Sequence, residues 1–212
     1  MFKLINFSFG YKKLLFDKIN IEIDASQITL INGANGCGKT TLLRVMSGLI
    51  KNYNGSIFLK NNEIKNMAVE EISNYIVYQK QEPMANIVAA TPYEDLQIWI
   101  GKFLTSNIDS TKINNALQRF GMDEFRDYPV WKLSGGQLKR AGLAALLLFP
   151  QKFWLLDEPT AGLDADLQSA LLEILSQKKK SGVGAVIVTH RIDLFKNIAD
   201  KIIQIKDKDL KI

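Results

Sequence analysis

A run of glycines followed by lysine and threonine gives the sequence its strongest chemical signal. Gly33-Ala34-Asn35-Gly36-Cys37-Gly38-Lys39-Thr40 fits the pattern G-x-x-x-x-G-K-[ST], in which successive backbone N–H groups point at phosphate oxygens. In this pattern the lysine reaches the β- and γ-phosphates, and the threonine hydroxyl ligates Mg²⁺. A plain Gly/Asn-rich turn is the alternative, but the complete pattern between a strand and a helix favours a nucleotide-binding P-loop.

A pair of carboxylates supplies the second chemical signal. Asp157 and Glu158 directly follow the apolar run Phe153–Leu156, which reads as a short buried strand. Such a strand delivers its last residues to the carboxyl edge of the sheet, where phosphates bind in open α/β folds. There Asp157 would hold Mg²⁺, and Glu158 would polarise an attacking water. An Asp-Glu pair alone is a weak signal, but with a P-loop upstream it indicates a magnesium–nucleotide site.

Strands that alternate with helices must position these motifs. The apolar, β-branched run Gln27–Ile31 leads straight into the glycine run, and a helical pattern follows it. Buried strands are also predicted over Phe153–Leu156, Ala185–Thr189 and Lys201–Ile205. This alternation predicts an α/β fold, a P-loop NTPase with a mostly parallel sheet core wrapped by helices.

Two parts of the chain depart from this alternation. Residues 2–9 and 18–24 show strand patterns, which predict an N-terminal antiparallel β subdomain. Helical stretches over Tyr93–Phe103, Lys112–Phe120 and Ser134–Phe149, the last with Ser134 as N-cap, predict an inserted helical subdomain. We therefore expect one domain over 1–212: an α/β core over 1–81 and 150–212, and a helical subdomain over 82–149. Asp164 is expected to cap a further helix.

Composition excludes several classes of protein. Of the 212 residues, 47% are hydrophobic and 23% charged, as in an ordinary globular domain. Cys37 is the one cysteine, so an intrachain disulfide is excluded and a reducing cytoplasm is expected. Much of the excess charge of +5 is lysine spread over turns without interleaved aromatics, so we expect no nucleic-acid partner. No apolar run approaches the roughly 20 residues of a membrane span, and no signal peptide is predicted.

Taken with two further motifs, the P-loop resembles that of a known family. Leu133-Ser134-Gly135-Gly136-Gln137 and Leu156-Asp157-Glu158-Pro159-Thr160 occur in the order found in the ATP-binding-cassette ATPases, the nucleotide-binding subunits of ABC transporters. The resemblance covers nearly the whole chain, and LSGGQ is its most discriminating motif. In isolation LSGGQ would read as a capped helix start with a glycine pair.

The resemblance assigns roles to individual residues. Tyr11 stands where the family places an aromatic ring that stacks on adenine, and His190 where it places a histidine that contacts the γ-phosphate. Gln79, with Gln81 as a competitor, looks like the glutamine that approaches Mg²⁺ and the attacking water. The implied catalytic residues are Glu158, His190, Lys39 and Gln79. The implied Mg²⁺ ligands are Thr40, Gln79 and Asp157. The implied ATP contacts are Tyr11, Asn35, Gly36, Cys37, Gly38, Lys39, Thr40, Thr41, Ser134, Gly135, Gly136, Gln137 and Asp164.

The same resemblance implies partners. In the family, the LSGGQ helix start of one subunit completes the ATP site on the P-loop of another, so a head-to-tail homodimer or paralogous heterodimer is expected. An integral-membrane permease is the second expected partner, which places the chain peripherally on the cytoplasmic face of the cell membrane. Hydrolysis would then open the closed pair.

Three kinds of ABC ATPase remain open at this point. Thr91–Asp95 and Asp157–Asp164 look most like importers of vitamins or metals of the energy-coupling-factor type. The short sequence after Ile205 is similar to the haem-exporter cassette of cytochrome c maturation. A soluble ABC ATPase that acts in cofactor or macromolecular assembly is the third alternative.

Overall fold

The structure, a computed structural model, describes residues 2–103 and 110–211. The described strands are β1 (Phe2–Gly10), β2 (Leu14–Ile23), β3 (Ile28–Gly33), β4 (Asn54–Leu59), β5 (Asn62–Glu63), β6 (Ile76–Gln79), β7 (Phe153–Asp157), β8 (Gly184–Val188), β9 (Lys201–Lys206) and β10 (Asp209–Lys211). The described helices are α1 (Lys39–Met46), α2 (Val69–Ser73), α3 (Pro92–Phe103), α4 (Ser110–Arg119), α5 (Gly135–Leu146), α6 (Ala165–Lys180) and α7 (Ile192–Phe195).

The larger sheet carries the predicted parallel core. Its strand order is β10-β9-β3-β8-β7-β6, with β3 parallel to both β8 and β9, and β7 parallel to β8. Every residue of β7 and β8 is buried, which explains why both read as unbroken apolar runs in the sequence. The final strand, β10, pairs antiparallel with β9 and was not predicted. The α/β class with a mostly parallel sheet is confirmed.

The smaller sheet contains the N-terminal strands in the order β2-β1-β4-β5. Its pairings are antiparallel, with Leu4 opposite Ile21 on one side and Ile57 on the other. Alternating residues of β1 and β2 are buried, as a half-buried antiparallel sheet requires. These buried side chains join those of the larger sheet and of α1 in one hydrophobic core.

The contacts divide the chain into two compact units. The first ends at Tyr78 and resumes over Gln151–Glu158 and from Ser176, so it contains most of both sheets. The second consists of Gln79–Pro150 and Pro159–Leu175. Among the described residues, no helix is both long and apolar enough to cross a bilayer.

Helices α3, α4 and α5 pack on one another in the second unit. Helix α5 begins after Ser134, as predicted, but it ends at Leu146, so the prediction that it reaches Phe149 was wrong. The N–H of Leu147 donates to the carbonyl oxygen of Ala144, at 3.2 Å, so the helix closes with a tighter turn there.

Candidate active site

The glycine run forms a turn between a buried strand and a helix. Strand β3 ends at Gly33, and α1 begins at Lys39 with Gly38 as its N-cap. Gly38 has a φ of 110° and packs against Phe16: a Cβ placed on Gly38 would lie 2.8 Å from Phe16 Cζ. The Lys39 Nζ donates to the carbonyl oxygens of Gly33, at 2.8 Å, and Ala34, at 3.1 Å. The lysine ammonium group is thus held across its own turn, next to the positive end of α1.

Asp157 is the last residue of β7 and is 1% exposed. The Tyr78 hydroxyl donates to Asp157 Oδ2 at 3.5 Å. Burial, followed by the negative charge of Asp157, raises the pKa of Tyr78 to about 12, although the positive charge of Arg44 in α1 acts in the opposite direction. The ends of β7 and β6 therefore meet at this carboxylate.

Glu158 and His190 lie together at the carboxyl ends of β7 and β8. The His190 Nε2 is 3.6 Å from Glu158 Oε1, and the Glu158 N–H donates to the Val188 carbonyl oxygen at 2.9 Å. Glu158 has a φ of 47°, a left-handed conformation that costs a non-glycine residue about 1–2 kcal/mol. Backbone strain at a carboxylate beside a histidine is typical of a residue that is held in place for function.

The oxygen-donor residues present suit Mg²⁺. This ion prefers hard oxygen ligands and is usually held by one or two carboxylates together with substrate phosphates. The buried Asp157 carboxylate supplies one such donor, and Thr40, in the first turn of α1, supplies a hydroxyl. Helix α1 also packs against β7, the strand that ends at Asp157. We therefore expect Asp157 and Thr40 to hold the ion.

Tyr11 lies in the turn between β1 and β2. Its side chain is 67% exposed, and the edge of its ring contacts Phe9 with centroids 5.1 Å apart and planes at 85°. The buried Phe9 anchors one side of the tyrosine ring and leaves most of the ring accessible. An accessible aromatic face of this kind is suited to stacking on a planar base.

The remaining predicted site residues belong to the second unit. Gln79 is 4% exposed, and Gln81 is exposed. A Cβ placed on Gly142 of α5 would lie 3.5 Å from Gln79 Nε2, so the Gln79 amide packs directly on α5. Among the described residues, no hydrogen-bond partner meets either amide atom of Gln79.

The LSGGQ segment forms a capped helix start in the same unit. The Ser134 Oγ accepts from the Gln137 N–H at 3.2 Å, and Gln137 Oε1 accepts from the Ser134 N–H at 2.7 Å. Ser134 and Gly135 are exposed, and a Cβ placed on Gly136 would lie 3.7 Å from the Gly162 carbonyl oxygen. Helix α5 thus presents its positive end on an open surface.

Asp164 caps the next helix, as predicted. Its Oδ1 accepts from the Leu167 N–H at 2.9 Å in the first turn of α6.

Sequence reasoning missed three residues that surround the site. Phe16 packs under Gly38, Tyr78 reaches Asp157, and the charge of Arg44 acts on the Tyr78 hydroxyl. Only Tyr78 carries a local signal, because it directly precedes Gln79, to which the family resemblance assigns a role.

Comparison with known proteins agrees with this arrangement. The family model described as "ABC transporter" matches residues 16–161, which is more than half of the chain. The chain is 34% identical to the petrobactin import ATP-binding protein FpuD of Bacillus anthracis, over 98% of this chain and 78% of FpuD. It is 30% identical to the energy-coupling factor transporter ATP-binding protein EcfA3 of Clostridium perfringens, over 96% of this chain and 73% of EcfA3.

A solved structure of an ATP-binding cassette shares the fold. That structure is a dimer in a post-hydrolysis state bound to ADP and Pi, and it superposes with a TM-score of 0.87 at 22% identity, over 100% of this chain and 97% of the other. The family match and the two relatives cover the P-loop and the Asp157-Glu158 pair described above. This chain therefore belongs to the ABC transporter family, as an ATP-binding cassette subunit that hydrolyses ATP to ADP and phosphate.

Proposed function

We propose that this chain energises a membrane importer of a small solute, as a head-to-tail pair of cassettes that closes on ATP and opens after hydrolysis. The observation that carries the proposal is the open helix start at Ser134 and Gly135. A helix N-terminus binds anions through its N–H groups and its dipole. Because this end of α5 is exposed, it is accessible to an ATP held by the P-loop of a second cassette.

Within one cassette, the first unit supplies the hydrolytic groups. The P-loop N–H groups and Lys39 hold the β- and γ-phosphates, and Asp157 and Thr40 hold Mg²⁺. When bound, Mg²⁺ neutralises charge that develops on the phosphate oxygens. Glu158 accepts a proton from the attacking water, and His190, 3.6 Å from Glu158, contacts the γ-phosphate. Tyr11 stacks on the adenine ring.

The second unit supplies the groups that respond to the nucleotide. Ser134, Gly135 and Gly136 cap the γ-phosphate of the partner's ATP, and Asp164 lies in the loop that contacts the partner subunit. Gln79 reports the state of the site to the permease. Loss of the γ-phosphate removes part of the interface, so hydrolysis shifts the population from the closed pair to the open one. We assign the second cassette to another copy of this chain.

The relatives support an import role. FpuD is named as an import ATP-binding protein, and EcfA3 is named as a transporter ATP-binding protein. Exposed apolar side chains that follow Gln79 support a docking role for the second unit: Met84 is 43% and Val88 58% exposed. Apolar groups that form a contiguous patch on an open surface mark sites of contact with a partner. The expected partner is an integral-membrane permease, which places this chain on the cytoplasmic face of the membrane.

Co-purification from detergent-solubilised membranes tests this proposal. The tagged wild-type chain is expected to retain an integral-membrane protein. The double variant Met84→Asp, Val88→Asp is expected to lose that protein but keep its ATPase activity. Ile202→Asp, a change at an exposed apolar residue of β9, is the matched control and is expected to keep the partner. A purely soluble partner would overturn the transport role, and a complex with a different cassette would replace the homodimer by a paralogous pair.

A further inference from the structure

The Tyr78 hydroxyl meets the carboxylate assigned to Mg²⁺. The Tyr78 hydroxyl donates to Asp157 Oδ2 at 3.5 Å. Arg44 lies in the last turn of α1, the helix that begins at Lys39, and its positive charge acts on the same hydroxyl. Tyr78 therefore lies between a cation on the P-loop helix and the carboxylate at the end of β7.

Tyr78 is held firmly enough to orient a neighbour. Its ring packs against the hydrophobic core of the first unit, and its strand, β6, is next to β7 in the larger sheet. A tyrosine has two main side-chain torsions, and core packing restricts both, so the position of its hydroxyl oxygen is fixed by the ring. By contrast, the terminal torsion of an aspartate is broad and roughly two-fold, so its direction depends on its hydrogen bonds.

The charges on the two sides of the Tyr78 hydroxyl act in the same direction. An ionised carboxylate can only accept a hydrogen bond, so the Tyr78 proton is directed at Asp157. The positive charge of Arg44 favours this donation, because it stabilises negative charge on the Tyr78 oxygen. A bond to Oδ2 sets the rotation of the carboxylate and thereby the direction of both of its oxygens.

We propose that Tyr78 is a positioning residue that orients the Asp157 carboxylate for Mg²⁺. The proposal rests on the assignment of Asp157 to Mg²⁺ made above and adds a residue that acts on the metal without touching it. Because Tyr78 directly precedes Gln79, it also joins the metal carboxylate to the strand end from which the glutamine segment leaves. Removal of a residue that orients a metal ligand typically weakens metal affinity by about 10–100-fold.

The test removes one hydroxyl and measures the binding of metal rather than turnover. Tyr78→Phe keeps the ring in the core and deletes only the donor to Asp157. The Mg²⁺ concentration that gives half-maximal binding of a fluorescent, non-hydrolysable ATP analogue is expected to rise by about 10-fold. Binding of the same analogue without Mg²⁺ is expected to stay at the wild-type value. Arg44→Gln is expected to raise the Mg²⁺ requirement less, and to add nothing in the Tyr78→Phe background.

Tyr53→Phe is the matched control. The Tyr53 side chain is buried, and its hydroxyl has no hydrogen-bond partner among the described residues, so its removal is expected to leave the Mg²⁺ requirement unchanged. Asp157→Asn distinguishes an error in the assignment of Asp157 to Mg²⁺ from an error in the role of Tyr78. If Asp157→Asn leaves Mg²⁺-dependent binding intact, the assignment of Asp157 is wrong and the role of Tyr78 is wrong with it. If Asp157→Asn abolishes that dependence while Tyr78→Phe matches wild type, only the role of Tyr78 is overturned.

Discussion

A methyl group added at Gly38 tests how the P-loop is held. Gly38 has a φ of 110°, and its missing Cβ would lie 2.8 Å from Phe16 Cζ and 3.0 Å from Phe16 Cε2. Phe16 is fully buried and packs on Phe7 with ring centroids 5.5 Å apart. The methyl group of Gly38→Ala would therefore force a core side chain to move, because the ring has no open space to enter.

The size of the effect follows from two contributions. A non-glycine residue with a left-handed backbone costs about 1–2 kcal/mol. Displacement of a ring in a packed core costs about 1–3 kcal/mol more. Gly36→Ala provides the control, because Gly36 has a φ of 75° but a Cβ there would meet nothing within 4 Å. We expect Gly38→Ala to lower the free energy of unfolding by about 1–3 kcal/mol more than Gly36→Ala does.

Urea denaturation of the wild type and both variants measures this difference. Replacing glycine by alanine lowers the conformational entropy of the unfolded chain and so stabilises the folded protein. This gain in the free energy of unfolding is similar for both variants, so it cancels when the two are compared. Titration with ATP is expected to show weaker binding for Gly38→Ala, because the loop that presents the N–H groups moves with Phe16. Equal unfolding free energies for the two variants would refute the idea that Phe16 supports the loop.

Further predictions concern three other side chains. Glu158→Gln is expected to bind ATP and accumulate as a dimer while kcat falls by about 10²–10⁴-fold; ordinary turnover would remove Glu158 from its role as base. The Cys37 Sγ lies 2.7 Å from the position of a Cβ on Gly33, inside the P-loop, so alkylation should block ATP binding in wild type but not in Cys37→Ser. Full binding after stoichiometric modification would contradict this. Burial raises the pKa of Asp95 to about 6, because the folded protein favours the protonated carboxyl over the charged one. The contribution of Asp95 to the free energy of unfolding is therefore fully present below pH 3.8 and is lost as the pH rises through about 6. Asp95→Asn should therefore gain about 2.5 kcal/mol over wild type between pH 4 and pH 8 in unfolding measurements, and a difference that does not change with pH would contradict it.

Local patterns were sufficient to predict the strands and turns that carry the chemistry. Strands β7 and β8 are buried on both faces, so their composition alone marks them as parallel core strands. The capping of α5 by Ser134 and of α6 by Asp164 also follows from residue types a few positions apart. Each of these features depends on neighbours in the sequence.

Contacts between distant segments were not predictable in this way. Tyr78 reaches Asp157 because β6 is the neighbour of β7 in the larger sheet. The residues of the two strands do not reveal that they are neighbours. Phe16 lies under Gly38 through the fold of the N-terminal strands. The left-handed backbone of Glu158 depends on its bond to Val188 in the adjoining strand. Strand β10 is short and mostly exposed, so it lacks the periodicity that reveals longer strands.

Mixing two inactive variants tests most directly whether the ATP site is shared between two chains. Lys39→Ala removes the phosphate-binding lysine, and Gly135→Asp places a negative charge at the helix start, where an added Cβ meets nothing within 4 Å. Each variant alone is expected to be inactive. Their equimolar mixture is expected to regain about a quarter of wild-type ATPase activity, because half of the random dimers are mixed and each mixed dimer has one complete site. A mixture no more active than its separate components would contradict the shared site.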